Sequence, residues 1–155
     1  MWNRIVAFIG LSLLTVSAWA FNFTDVQGHA QNLAAYKGKW VLVNFWATWC
    51  PPCLKEIPDL ISLQGTYGKT RLAVIGVAMD YHDPKQVIDF ARSMHINYPI
   101  VLGNSDLAAQ VGEIQGLPTS YLFDPSGRIV AYQLGALTRS AVEKYINGKS
   151  AAVKQ

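Results

Sequence analysis

The sequence is poor in cysteine: two residues, Cys50 and Cys53, in a chain of 155. A framework of long-range disulfides is excluded, and so is a structural zinc site built from two cysteine pairs. The three histidines, His29, His82 and His95, show no ligand spacing and read as surface or helix-end residues. Charge is sparse at 15%, and the net +3 comes from scattered lysines and arginines rather than a run. A phosphate-binding face needs clustered cations, so no nucleic-acid partner is expected. No internal repeat or low-complexity tract is present. After residue 20 no apolar stretch is long enough to span a bilayer, which takes about 20 residues.

The first twenty residues have a different character. Arg4 is followed by the nearly unbroken apolar run from Ile5 to Val16, and then by Ala18-Trp19-Ala20. A positive start, a short apolar core and small residues at the cleavage positions are the layout of a secretory signal peptide. Cleavage after Ala20 is expected, with a mature chain from Phe21 and a periplasmic location. An uncleaved membrane anchor is the alternative. No cysteine follows the cleavage point to take a lipid.

The mature chain reads as a single domain of alternating strands and helices. Phe21–Phe23 is a short lead-in strand, and His29–Gly38 is polar and turn-rich. Trp40–Trp46 and Leu72–Met79 are continuous β-branched and aromatic runs, the pattern of strands covered on both faces. Between them Leu54–Tyr67 has helical spacing, with Pro51 and Pro52 at its start, Pro58 as a kink and Gly68 as its end. Asp83-Pro84 opens a helix to about Met94, Tyr98–Leu102 is a short strand, and Asp106–Val111 is a brief helix. Ser120–Phe123 and Arg128–Leu134 flank the turn Asp124-Pro125-Ser126-Gly127. Thr138–Asn147 is a final helix capped by Thr138 and closed by Gly148. The fold class is α/β with a central mixed sheet flanked by helices.

Chemistry concentrates at Cys50-Pro51-Pro52-Cys53, between a strand and a helix. A helix N-terminus presents free N–H groups and partial positive charge. It favours a thiolate, so the thiol of Cys50 is expected below its ordinary value. Cys50, the more exposed by position, would attack a substrate disulfide, and Cys53, one turn on, would resolve the mixed disulfide. As a mere staple the pair is inefficient: closing so short a loop is worth about 2 kcal/mol against about 3 for fifteen residues. Haem attachment needs His after the second Cys, and residue 54 is Leu. A copper-binding pair stays open as an alternative. Neither proline has an N–H to offer the Cys50 sulfur, which points to a moderately reducing couple rather than a strong oxidant.

The segment Val43-Asn44-Phe45-Trp46-Ala47-Thr48-Trp49-Cys50-Pro51-Pro52-Cys53 resembles the active-site segment of the thioredoxin superfamily, and Gly116-Leu117-Pro118-Thr119 resembles the loop that carries its cis-proline. Within that superfamily the signal peptide, a central helix–strand insertion at about 84–102 and Glu56 three residues after Cys53 are similar to the exported TlpA-like group, which includes the cytochrome c maturation reductases. The resemblance implies a thioredoxin-like fold and a protein thiol–disulfide oxidoreductase without cofactor or metal. It also implies a cis bond at Leu117–Pro118, with Leu117 pairing an extended substrate segment and Trp49 forming a wall of the substrate surface. The implied partners are disulfide-containing exported proteins and a membrane thiol relay as reductant, with the protein acting as a monomer. An oxidase of the same fold is the remaining alternative. Thioredoxins carry a titrating Asp where this chain has Asn44. Glu56, with its pKa raised by partial burial, is expected to take over that proton.

Overall fold

The computed structural model describes residues 21–152, and the expected signal peptide, residues 1–20, lies outside them. Strands β1 (Asn22–Thr24) and β2 (Ala30–Asn32) form a small antiparallel hairpin. One turn of 3-10 helix follows at Leu33–Tyr36, capped by the Asn32 side chain. The polar stretch after His29 therefore holds a strand and a helical turn as well as loops. Three residues of strand are too few for a periodic signal, and only their pairing with β1 defines them.

The main sheet has five strands in the order β5-β4-β3-β6-β7. β3 (Trp40–Trp46), β4 (Leu72–Ala78) and β5 (Ile100–Leu102) run parallel. β6 (Thr119–Phe123) is antiparallel to β3, and β7 (Ile129–Leu134) is antiparallel to β6. All seven residues of β3 and of β4 are buried, as expected of strands covered on both faces. Asp124 joins β6 to β7: its carboxylate accepts from the Ser126 and Arg128 main-chain N–H groups, and Gly127 supplies a φ of +81°.

Helices α1 (Pro51–Tyr67), α2 (Pro84–Ser93), α3 (Ser105–Ala109) and α4 (Arg139–Ala152) complete the fold. One sheet face packs Trp40, Leu42, Trp46, Leu72 and Val74 against Ile57 and Leu60 of α1, Val87 of α2, and Val142 and Ile146 of α4. The other packs Val41, Val43, Phe45 and Ile75 against Phe21, Phe23, Leu33 and Ala108. Both cysteines belong to the first of these cores.

Three helices have bounds that differ from the sequence reading, and the short α3 spans Ser105–Ala109 rather than Asp106–Val111. α1 begins at Pro51 rather than Leu54, so the whole Cys-Pro-Pro-Cys motif lies in or just before its first turn. It then runs without interruption through the exposed Pro58. α4 continues past Gly148 to Ala152. An isolated glycine costs a helix about 1 kcal/mol and does not by itself end one.

Candidate active site

β3 delivers the chain to the active turn, and α1 leaves from it. Cys50 is the N-cap of α1, in an extended conformation, and its sulfur accepts the Cys53 N–H at 3.4 Å. Pro51 and Pro52 have no N–H, so the first main-chain donor along the helix belongs to Cys53 itself. The two cysteines form a disulfide with Cα atoms 5.3 Å apart. Both are buried, Cys50 at 3% exposure and Cys53 at 0%, so the difference between them is small. In this form neither sulfur is a thiolate available to a metal, and among the described residues no group of three or more His, Cys, Asp or Glu could hold one.

The loop before β6 reaches the same end of the sheet, because Thr119 pairs with Phe45 near the end of β3. The Leu117–Pro118 peptide bond is cis. Leu117 is half-buried and packs against the core that contains both cysteines, while Pro118 is buried. The loop is tied on both sides. Thr119 Oγ1 donates to the Gly116 carbonyl at 2.6 Å, and the Pro118 carbonyl accepts from Gly135 N at 2.9 Å. Among the described residues Trp49 is the most exposed large apolar side chain at 61%, and its indole N–H donates to the Asp80 carbonyl at 3.0 Å. Trp46 is in the core.

Behind the disulfide lies a buried carboxylate. Glu56 is 1% exposed although it sits on α1 only three residues after Cys53. Its Oε1 accepts from Asn44 Nδ2 at 2.7 Å, and its Oε2 from Leu137 N at 2.8 Å. Burial raises its pKa above the ordinary carboxylate value, and the Leu137 and Asn44 hydrogen bonds only partly offset that. Asn44 Nδ2 also donates to Ser120 Oγ at 3.0 Å. Tyr98, in the stretch between α2 and β5, is buried, and its phenol is held well above its usual value by desolvation and by the Glu56 charge.

Cys50, Cys53, Glu56, Trp49, Leu117 and Pro118 are therefore gathered at one end of one sheet or directly behind it. Sequence reasoning missed Leu137 and Ser120. Leu137 contributes only a main-chain N–H, which leaves no trace in residue type. Ser120 reaches Asn44 through the β3–β6 register, in which the two residues are directly paired. The histidines fall where the sequence put them: His82 and His95 are exposed, and His29 Nδ1 is 3.1 Å from Asp25 Oδ2.

An N-cap cysteine with its partner one turn along, set on a thioredoxin-like mixed sheet beside a cis-proline loop, defines a dithiol–disulfide exchange protein. The comparisons agree. Residues 15–132 match the AhpC/TSA family, and the chain belongs to that family. It is 32% identical over 127 residues to the thiol-disulfide oxidoreductase ResA of Geobacillus kaustophilus (strain HTA426), covering 81% of this chain and 72% of that protein. It is 30% identical over 142 residues to ResA of Bacillus subtilis (strain 168), covering 90% and 79%. Among solved structures, a thiol:disulfide interchange protein of the thioredoxin family from Chlorobium tepidum TLS superposes with a TM-score of 0.75 at 30% identity, covering 82% of this chain and 90% of that one. The protein is a ResA-like thiol–disulfide oxidoreductase.

Proposed function

We propose that the protein reduces disulfides of exported proteins in the periplasm, as a monomer, with cytochrome c maturation as its setting. The observation that carries this reading is Cys50 as the N-cap of α1 with Cys53 one turn inside it. In the reduced form the Cys50 thiolate attacks one sulfur of the client disulfide. A Cys50–client disulfide forms, and the client's other sulfur leaves as a thiolate and takes a proton. Cys53 then gives its proton to the Glu56 carboxylate and attacks Cys50 Sγ. The Cys50–Cys53 disulfide forms, the second client sulfur leaves, and two electrons have passed to the client.

Glu56 suits the proton step because burial makes it a stronger base than a surface carboxylate. The missing N–H groups at Pro51 and Pro52 support a moderately reducing couple. Leu117 would pair its main chain with an extended client segment, with Trp49 beside it as an apolar wall. The stretch 84–102, comprising α2 and β5, is the insertion that helps select the client. A membrane thiol relay returns the disulfide to the dithiol. Export rests on the sequence of residues 1–20 and is in keeping with similarity to the pneumococcal exposed lipoprotein thioredoxin Etrx1, with a TM-score of 0.71 and 25% identity. Among the described residues no helix is long and apolar enough to cross a membrane.

Insulin reduction by the dithiol form tests the activity. Cys50→Ser should abolish it, and Cys53→Ser should accumulate a mixed disulfide with the client in cells. Activity that survives Cys50→Ser would overturn the reading. Equilibration with glutathione gives the direction, and a potential near that of strong oxidants (about −120 mV) would make the protein an oxidase. Copper retained through purification would favour the metal-binding alternative.

A further inference from the structure

The loop that carries the cis-proline also walls a groove of about 730 Å³. Leu117 lines it, and so does Asp80, whose carbonyl accepts the Trp49 indole N–H. The groove therefore adjoins both residues assigned to the client surface, Leu117 directly and Trp49 through Asp80. Its lining is apolar at Met79, Ala108, Ile114 and Leu117, and acidic at Asp80 and Glu113, which are both exposed. Among the described residues no Lys, Arg or His lines it, although the chain as a whole carries a net charge of +3.

One wall of this groove is fixed before anything binds. Tyr121 of β6 donates its hydroxyl proton to the Glu113 carbonyl at 2.7 Å. Its ring lies so close to Gly112 that a Cβ there would stand 2.5 Å from Tyr121 Cζ. The ring is itself held edge-on to Phe45 of β3, with centroids 6.3 Å apart. Thr119 Oγ1 donates to the Gly116 carbonyl and ties the same wall beside Leu117. A wall held by the sheet needs little ordering when a ligand arrives, so more of the contact energy shows as affinity.

We propose that this groove docks the client, and that it selects an extended segment with a lysine or arginine a few residues from its reactive cysteine. An extended segment advances about 3.3 Å per residue. With its cysteine at Cys50 and its main chain on Leu117, the residues a few places to one side lie over the groove. A basic side chain suits that lining along its whole length. Its methylene stem covers Met79, Ala108 and Ile114, and its charged head meets Asp80 and Glu113. A glutamate or aspartate in the same place meets two like charges. The proposal rests on the protein as a reductase of client disulfides, and it adds the class of client.

The test uses the dithiol form and a set of extended peptides, each with one cysteine joined to 2-thiopyridine as a disulfide. The Cys50 thiolate attacks the peptide sulfur and thiopyridine leaves, so its absorbance gives the rate constant. The peptides differ only in carrying lysine, glutamine or glutamate on either side of the cysteine. The lysine peptide should react about three- to tenfold faster than the glutamate peptide at low salt, the scale of two exposed ion pairs, and the ratio should shrink in 1 M salt. Asp80→Asn with Glu113→Gln should cut that ratio by most of its value. Asparagine tolerates the Asp80 φ of +50°, and a ratio between two peptides on one protein cancels any general loss of activity. Asp89→Asn with Glu143→Gln makes the same change of net charge away from the groove and should leave the ratio in place. Equal rates for lysine and glutamate peptides on wild type would overturn the proposal, as would a preference undiminished in Asp80→Asn with Glu113→Gln. A dimer by light scattering that dissociates in the same double variant would also overturn it, by giving the groove to a second copy. Failure of the underlying reading looks different: no peptide would react faster with wild type than with Cys50→Ser.

Discussion

Replacing Glu56 by glutamine keeps the shape of the buried side chain and removes its ability to ionise, which makes the change a direct measure of what the charge costs. The carboxyl is 1% exposed and its folded pKa is raised by burial from an unfolded value near 4.5. Between those two values the folded protein binds a proton that the unfolded chain has released. Stability from this group is therefore fully present below about pH 4.5 and is lost as pH rises through the folded pKa. One proton sets the limiting slope at about 1.4 kcal/mol per pH unit. Urea unfolding of the disulfide form from pH 4 to pH 8 measures it, with wild type and Glu56→Gln compared at each pH so that every other titrating group cancels. The two should be closest in stability at the acid end, where wild-type Glu56 is itself neutral. The variant should then gain on wild type as pH rises, with no more than that slope, and the gap should level off above the folded pKa. A difference that is flat with pH, or one in which wild type gains on the variant, would show that the Asn44 and Leu137 donors outweigh desolvation, and the raised pKa would be refuted.

Two further outcomes follow from the geometry. Gly76 lies beside this cluster, and a Cβ there would stand 2.9 Å from Ile100 Cδ1 and 3.0 Å from Tyr98 Cε2. Gly76→Ala should destabilise by about 1–3 kcal/mol through overpacking, read as a lower urea midpoint with unchanged slope, and a neutral effect would mean that Tyr98 and Ile100 move aside freely. Trp49→Ala removes an exposed wall and one hydrogen bond to Asp80. It should cost about 1 kcal/mol or less in stability and slow reaction with a protein disulfide far more than reaction with a small aromatic disulfide, whereas equal slowing of both would deny Trp49 a role in docking the client.

Much of this architecture was legible in the chain because the signals were local. Trp40–Trp46 is apolar or aromatic but for Asn44, and it emerged as a strand with those bounds. Asp83-Pro84 is a helix start by the chemistry of its two side chains, and Asp83 caps α2. The Cys-x-x-Cys pair, by its position between strand and helix, pointed to redox chemistry with copper binding still open. Where local signals were weak the reading was coarser. β2 is three residues long, and Gly148 looked like a terminator although nothing in the packing ends the helix there.

Sequence alone, then, placed the cysteine pair at the start of a helix, because strand, turn and helix signals are local, and a helix N-terminus acts on its own first turn. The resemblance to the TlpA-like group singled out Glu56, three residues after Cys53. Tertiary structure decided what Glu56 can do. Its burial comes from α1 lying on the sheet, and its two donors come from β3 and from the loop before α4, residues 12 and 81 positions away in the chain. Ser120 joins them from 76 positions beyond Asn44. A carboxylate's pKa is set by its surroundings in space, and those surroundings exist only once the sheet register has placed Ser120 opposite Asn44.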